Sequence, residues 1–124
     1  MKRLAFLLCL LSVTAAFAAD KVTHVTAEDA AKLVQTGKVT VLDVRTPDEY
    51  NEGHIKGAKN VDFSSPDFAA KLNDLDKSKP ILVHCQAGGR STKSLPALEK
   101  LGVPIYHLDG GMDAWTQAGK PVSK

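Results

Sequence analysis

The chain of 124 residues carries 16 basic and 14 acidic side chains, and 44% of it is hydrophobic. That suffices for one domain around one core, with charges of both signs interspersed as on an ordinary solvated surface. No basic patch marks a nucleic-acid partner, and 2 cysteines are too few for a disulfide framework.

In chain order, the first predicted element is an export signal. Lys2 and Arg3 precede an apolar stretch from Leu4 to Val13, and Ala16-Phe17-Ala18 supplies the small residues that cleavage after Ala18 needs. The stretch is too short and too weakly flanked for a permanent membrane helix. Leu8 before Cys9 does not fit a lipoprotein anchor. Residues 1–18 are therefore predicted to be removed, leaving one domain over 19–124 that is periplasmic or secreted and not stably inserted in a membrane. Loss of Lys2 and Arg3 balances basic against acidic residues at 14 each. Cys85 is then the sole cysteine, with no intramolecular disulfide partner.

Strands and helices are predicted to alternate. Val39–Val44, Ile81–Cys85 and Val103–Leu108 are short runs rich in branched aliphatics, bounded by glycine, proline or charge. Val22–Val25 and Asn60–Phe63 are weaker strand candidates. Thr26 can cap a helix through about Gln35, closed by Gly37. Thr46-Pro47-Asp48-Glu49 has a capping-box pattern with proline at the first helical position. Ser65-Pro66 opens a helix in which Phe68, Leu72 and Leu75 share a face. Ser91 begins another, with Leu95, Leu98 and Leu101 on one side and Gly102 at its end. Pro96 inside it predicts a kink or a delayed start. Gly110-Gly111 leads a last helix through Trp115, closed by Gly119. This alternation predicts an α/β domain with a mainly parallel sheet and helices on both faces. Sites in such sheets lie at the carboxyl ends of the strands.

Cys85 sits at such an end. The apolar run Ile81-Leu82-Val83 feeds His84-Cys85, then the glycine-containing loop Gln86-Ala87-Gly88-Gly89, then Arg90 and Ser91. A thiol in a ring of backbone N–H groups, facing a helix N-terminus, has a lowered pKa and binds anions. Cys85 is thus the candidate nucleophile. Phosphate and sulfur chemistry can both use such a site.

Three blocks in order and spacing resemble the single-domain rhodanese family over nearly the whole domain. They are Leu42-Asp43-Val44-Arg45 continuing through Glu49-Tyr50 to Gly53-His54-Ile55-Lys56-Gly57-Ala58-Lys59-Asn60-Val61, the loop from Cys85 to Arg90, and Leu108-Asp109-Gly110-Gly111-Met112-Asp113-Ala114-Trp115. The resemblance implies a three-layer α/β sandwich and sulfur transfer without a cofactor or metal. Cys85 would take a sulfane sulfur from thiosulfate or a persulfide and pass it to a thiol or cyanide-like acceptor. Backbone N–H groups of Gln86, Ala87, Gly88, Gly89 and Arg90 would cradle the persulfide anion, and Arg90 would bind the donor's sulfonate. The exported arrangement is similar to the phage shock protein E class of the family. A monomer is expected.

Two alternatives stay open. Tyrosine-phosphatase-like and arsenate-reductase-like enzymes share the His-Cys, glycine loop and Arg, but place five residues between Cys and Arg where this chain has Gln86 to Gly89. No strong candidate for the general acid of ester cleavage is evident. The other alternative is a non-catalytic persulfide carrier or binding module. Where well-known thiosulfate-using members carry a cation at the second loop position, this chain has Gln86, leaving the donor open. His54 is expected to shape a turn, His84 to face away from Cys85, and Asp43, Arg45 and Trp115 to be structural. Lys93 is expected to be a solvated surface lysine. His24 and His107 show no ligand spacing, and a single mature cysteine argues against zinc.

Overall fold

The computed structural model describes residues 22–124, so the predicted signal at 1–18 lies outside the described residues. Five parallel strands form one sheet in the order β1-β5-β4-β2-β3. They are β1 (Val22–Val25), β2 (Thr40–Asp43), β3 (Lys59–Asn60), β4 (Ile81–His84) and β5 (Ile105–Leu108). Five helices intervene: α1 (Ala27–Gln35), α2 (Pro47–Glu52), α3 (Phe68–Lys71), α4 (Gly89–Glu99) and α5 (Gly111–Gln117).

Alternation along the buried strands explains the three layers. Val41, Leu82 and Leu108 point to one face, where Ala27, Ala30 and Ala31 of α1 and Met112 and Trp115 of α5 cover them. Leu42, Ile81, Val83 and Ile105 point to the other, under Phe68, Leu72 and Leu98. Successive strand residues face opposite sides, so a strand buried on both faces is apolar throughout. The fold is the three-layer α/β sandwich with a parallel sheet that the sequence predicted.

The helix starts follow local chemistry. Thr26 Oγ1 accepts the Asp29 N–H at 3.2 Å to start α1. At α2, Thr46 Oγ1 accepts the Glu49 N–H at 3.3 Å while Glu49 Oε1 accepts the Thr46 N–H at 3.3 Å, completing the predicted capping box behind Pro47.

Several boundaries differ from expectation. The strands from Val39, Ile81 and Val103 are shorter, covering Thr40–Asp43, Ile81–His84 and Ile105–Leu108. The segment predicted as Asn60–Phe63 is in strand register only at Lys59–Asn60. Beyond it the Val61 and Phe63 N–H groups still donate to the Asp43 and Val44 carbonyls at 3.0 and 3.1 Å, and the Asn60 side chain donates to the Asp43 and Arg45 carbonyls at 3.1 and 2.8 Å. The helix expected from Ser65-Pro66 begins at Phe68 and tightens into a 3-10 turn over Leu72–Asp74. Asp67 at its N-cap makes no capping bond, and its carboxylate accepts the Ser65 hydroxyl instead. Phe68, Leu72 and Leu75 are nevertheless all buried. Finally, α4 begins at Gly89, two residues before Ser91, and runs through Pro96 to Glu99. Pro96 lacks the N–H that would bond the Thr92 carbonyl, a loss this helix tolerates.

Candidate active site

Cys85 follows β4 directly and is 2% exposed, at the carboxyl edge of the sheet. Gly88 then adopts φ +110° as the N-cap of α4, a conformation that β-carbon-bearing residues rarely accept. A Cβ there would also collide with the Asp109 carbonyl. The tight turn brings the Gly88 N–H to 3.0 Å from Cys85 Sγ.

The Asp109-Gly110-Gly111 segment holds this loop from behind. Met112 and Asp113 N–H groups donate to the Cys85 and Gln86 carbonyls at 3.0 and 3.1 Å. These are first-turn donors of α5, which have no partner within their own helix. The loop therefore caps α5, and α5 fixes the loop. Gly111, at φ +58°, permits the approach, since a Cβ would strike the Cys85 and Gln86 carbonyls. Gln86 adds a side-chain bond, its Nε2 donating to Asp113 Oδ1 at 2.6 Å.

Ser91 has a role different from the predicted helix start. Its hydroxyl lies 3.4 Å from Cys85 Sγ, 3.2 Å from the Gly88 carbonyl and 2.7 Å from His107 Nε2. Burial pushes the Cys85 thiol up, but hydrogen bonds from the Ser91 hydroxyl and from the Ser91, Gly88 and Ala87 N–H groups outweigh it. The thiol is held below an unperturbed cysteine.

Arg90 is paired across the site rather than free. Its guanidinium donates to both Glu49 oxygens at 2.6 and 2.9 Å, tying α4 to α2. That bond, opposed by partial burial, holds the Glu49 carboxyl at about 2. Arg45, expected to be structural, is 4% exposed and forms a fork on Asp43, with Nη2 at 2.7 Å from Oδ2 and Nε at 3.0 Å from Oδ1. It also donates to the Gly53 carbonyl at 2.7 Å and to Gln86 Oε1 at 3.1 Å, so it reaches the loop as well. Arg45, Glu49, Gly53, Gln86 and Met112 line one open cavity.

His84 is fully buried, its Nδ1–H donating to the Cys85 carbonyl at 3.0 Å. Burial pushes its pKa down, against the opposing pull of the Asp43 carboxylate. His54 stacks on Tyr50 at 3.8 Å between centroids and bonds the Tyr50 carbonyl, shaping its turn. Trp115 is buried and donates to the Pro121 carbonyl at 2.9 Å. His24 and His107, which lack ligand spacing in the sequence, meet at Asp109. The sequence marks Ser91 as a helix start, Glu49 as a capping-box residue and Asp109 as part of a family block; their contacts with Cys85, Arg90 and the two histidines appear only in the structure.

The sequence profile of the Rhodanese-like domain matches residues 26–118. The chain belongs to this family. It is 37% identical over 92 residues to thiosulfate sulfurtransferase 16, chloroplastic, of Arabidopsis thaliana, covering 65% of this chain and 77% of that one. It is also 37% identical over 79 residues to the uncharacterized protein YqhL of Bacillus subtilis, covering 63% of this chain but only 61% of that protein's length. Among solved structures, a rhodanese-related protein from Thermoplasma volcanium superposes with a TM-score of 0.73 at 32% identity, covering 82% of this chain and 97% of that one.

Proposed function

We propose that the protein is a sulfurtransferase that carries sulfane sulfur on Cys85, from thiosulfate or a persulfide to a thiophilic acceptor. The observation that carries this reading is the Gly88 N–H at 3.0 Å and the Ser91 hydroxyl at 3.4 Å from a buried Sγ at a helix N-terminus. The Cys85 thiolate attacks the outer sulfur of thiosulfate. A new S–S bond forms, the donor's S–S bond breaks, and sulfite leaves with the electron pair. The loop donors stabilise the terminal persulfide anion with little reorganisation. An acceptor such as cyanide then attacks that sulfur, the Cys85–sulfur bond breaks, and thiocyanate leaves as the thiolate returns.

Glu49 is engaged by Arg90 and Asp109 by two histidines, so neither carboxyl is free as the acid that phosphate-ester cleavage needs. The Arg90–Glu49 pair also lowers the net positive charge offered to a dianion, which supports a persulfide donor beside thiosulfate. The reading places the protein outside the cytoplasm as a monomer, with residues 1–18 as its export signal. Sequencing the amino terminus of the periplasmic form tests that placement; retention of residues 1–18 in a cytoplasmic protein contradicts it. For the chemistry, intact-mass measurement after incubation with thiosulfate should show one added sulfur atom in wild type and none in Cys85→Ser. An unmodified wild type under saturating thiosulfate removes thiosulfate as the donor.

A further inference from the structure

Two imidazoles and a carboxylate converge beside the cysteine loop, on side chains the sulfur chemistry does not use. The parallel register sets His24 of β1 opposite His107 of β5, and Asp109 follows β5 directly. His24 Nδ1 lies 2.6 Å and His107 Nδ1 2.7 Å from the same Asp109 Oδ1. The two Nδ1 atoms are 3.3 Å apart.

The other nitrogen of His107 constrains what this triangle can hold. Ser91 has one hydroxyl proton and three neighbours that could accept it: His107 Nε2, the Gly88 carbonyl and Cys85 Sγ. If Ser91 gives its proton to the sulfur, the short contact to His107 requires that Nε2 carry the proton and donate to Ser91 Oγ. In a neutral ring, Nδ1 is then a bare lone pair facing a carboxylate oxygen and a second imidazole. A cation between the three atoms satisfies all of them, and the Ser91 contact orients the ring as outer-shell partners of metal-bound histidines do.

We infer that His24, His107 and Asp109 form a binding site for a divalent transition-metal ion of the zinc class. Two imidazoles and one carboxylate suit zinc and its neighbours, whereas calcium and magnesium prefer all-oxygen shells. Tetrahedral zinc with ligands at about 2.0–2.1 Å separates them by about 3.3–3.4 Å. The Nδ1–Nδ1 distance already matches. The two carboxylate distances are shorter, and Asp109, 57% exposed ahead of α5, can swing outward to open them. Three protein ligands leave a fourth position open, as in zinc sites that bind water or substrate. The three side chains themselves line a shallow cavity together with Ala87, Gly88, Gly89, Thr92 and Lys93, the last its one cationic side chain other than histidine. This site does not rest on sulfur transfer by Cys85.

Calorimetric titration of the full chain with zinc chloride, in a Cys85→Ser background that removes the loop thiol as a ligand, tests the site. One equivalent of zinc should bind. His24→Ala and Asp109→Asn, both at exposed side chains, should each weaken binding by at least tenfold. Ser91→Ala should weaken it about tenfold by releasing the His107 ring. Cobalt(II) should give the intense visible absorption of a four-coordinate ion. No uptake by the parent, or equal affinity in the His24 and Asp109 variants, overturns the assignment.

Discussion

Replacing Glu49 by Gln isolates the ion pair that bridges α2 and α4. Glutamine at this third helical position can still bond back to the Thr46 N–H, so most of the capping box survives and the Arg90 charge partner is lost. The Glu49 carboxyl is held at about 2 in place of its ordinary 4.5, first through the Arg90 bond, against partial burial. At about 1.4 kcal/mol per unit this corresponds to ~3 kcal/mol. The two side chains are 31% and 35% exposed, so solvent screening reduces it to about 1–2 kcal/mol. Because the folded-state pKa is depressed, the stabilisation is fully present above pH 4.5 and fades as pH falls toward 2. Urea denaturation should find Glu49→Gln less stable than wild type by about 1–2 kcal/mol at pH 7, with less than half of that gap left at about pH 3. A gap that stays constant across this range refutes the charge argument and assigns the loss to packing or capping.

The same variant frees Arg90 to face an anionic donor, so KM for thiosulfate should fall with kcat little changed; an unchanged KM would detach Arg90 from donor binding. Ser91→Ala removes one hydrogen bond to the thiolate, about 1.5 kcal/mol, and should slow Cys85 alkylation near neutral pH about tenfold. Equal rates in the two proteins would mean that the hydroxyl does not reach the sulfur. Arg90→Ala should move the alkylation pH profile upward; an unmoved profile counts against its electrostatic role. Gly88→Ala forces a left-handed residue against the Asp109 carbonyl and should cost about 1–3 kcal/mol in thermal or urea unfolding, with loss of sulfur loading. Near-wild-type stability there would contradict the loop geometry.

What the sequence made legible was local. Apolar runs bounded by glycine and proline located the buried strands, and Thr26 and Thr46 marked the starts of α1 and α2 through side-chain caps. The order of Cys85, the glycines and Arg90 located the thiol at a helix N-terminus. Relations across the sheet were not legible. Arg90 and Glu49 are 41 positions apart, and His24 and Asp109 are 85 apart, so nothing in their spacing records that they touch. Only the β1–β5 register brings the second pair together. The role of Ser91 is hidden for a different reason. A serine after a glycine loop resembles an N-cap, but Gly88 in the left-handed region starts the helix earlier and turns the Ser91 hydroxyl to the sulfur. Asp43 and Arg45 read as structural from the sequence, but the buried fork between them, which also holds Gln86, depends on the Gly53 carbonyl arriving from the end of α2.

Sulfur carriage by Cys85 is tested most directly in a single turnover. The protein is loaded with thiosulfate, freed of donor by gel filtration and then given cyanide. One thiocyanate per chain should appear as the mass returns to that of the free thiol, and Cys85→Ser should yield none. Thiocyanate formed equally by Cys85→Ser, or a loaded mass that cyanide does not discharge, would contradict the assignment of Cys85 as the sulfur carrier.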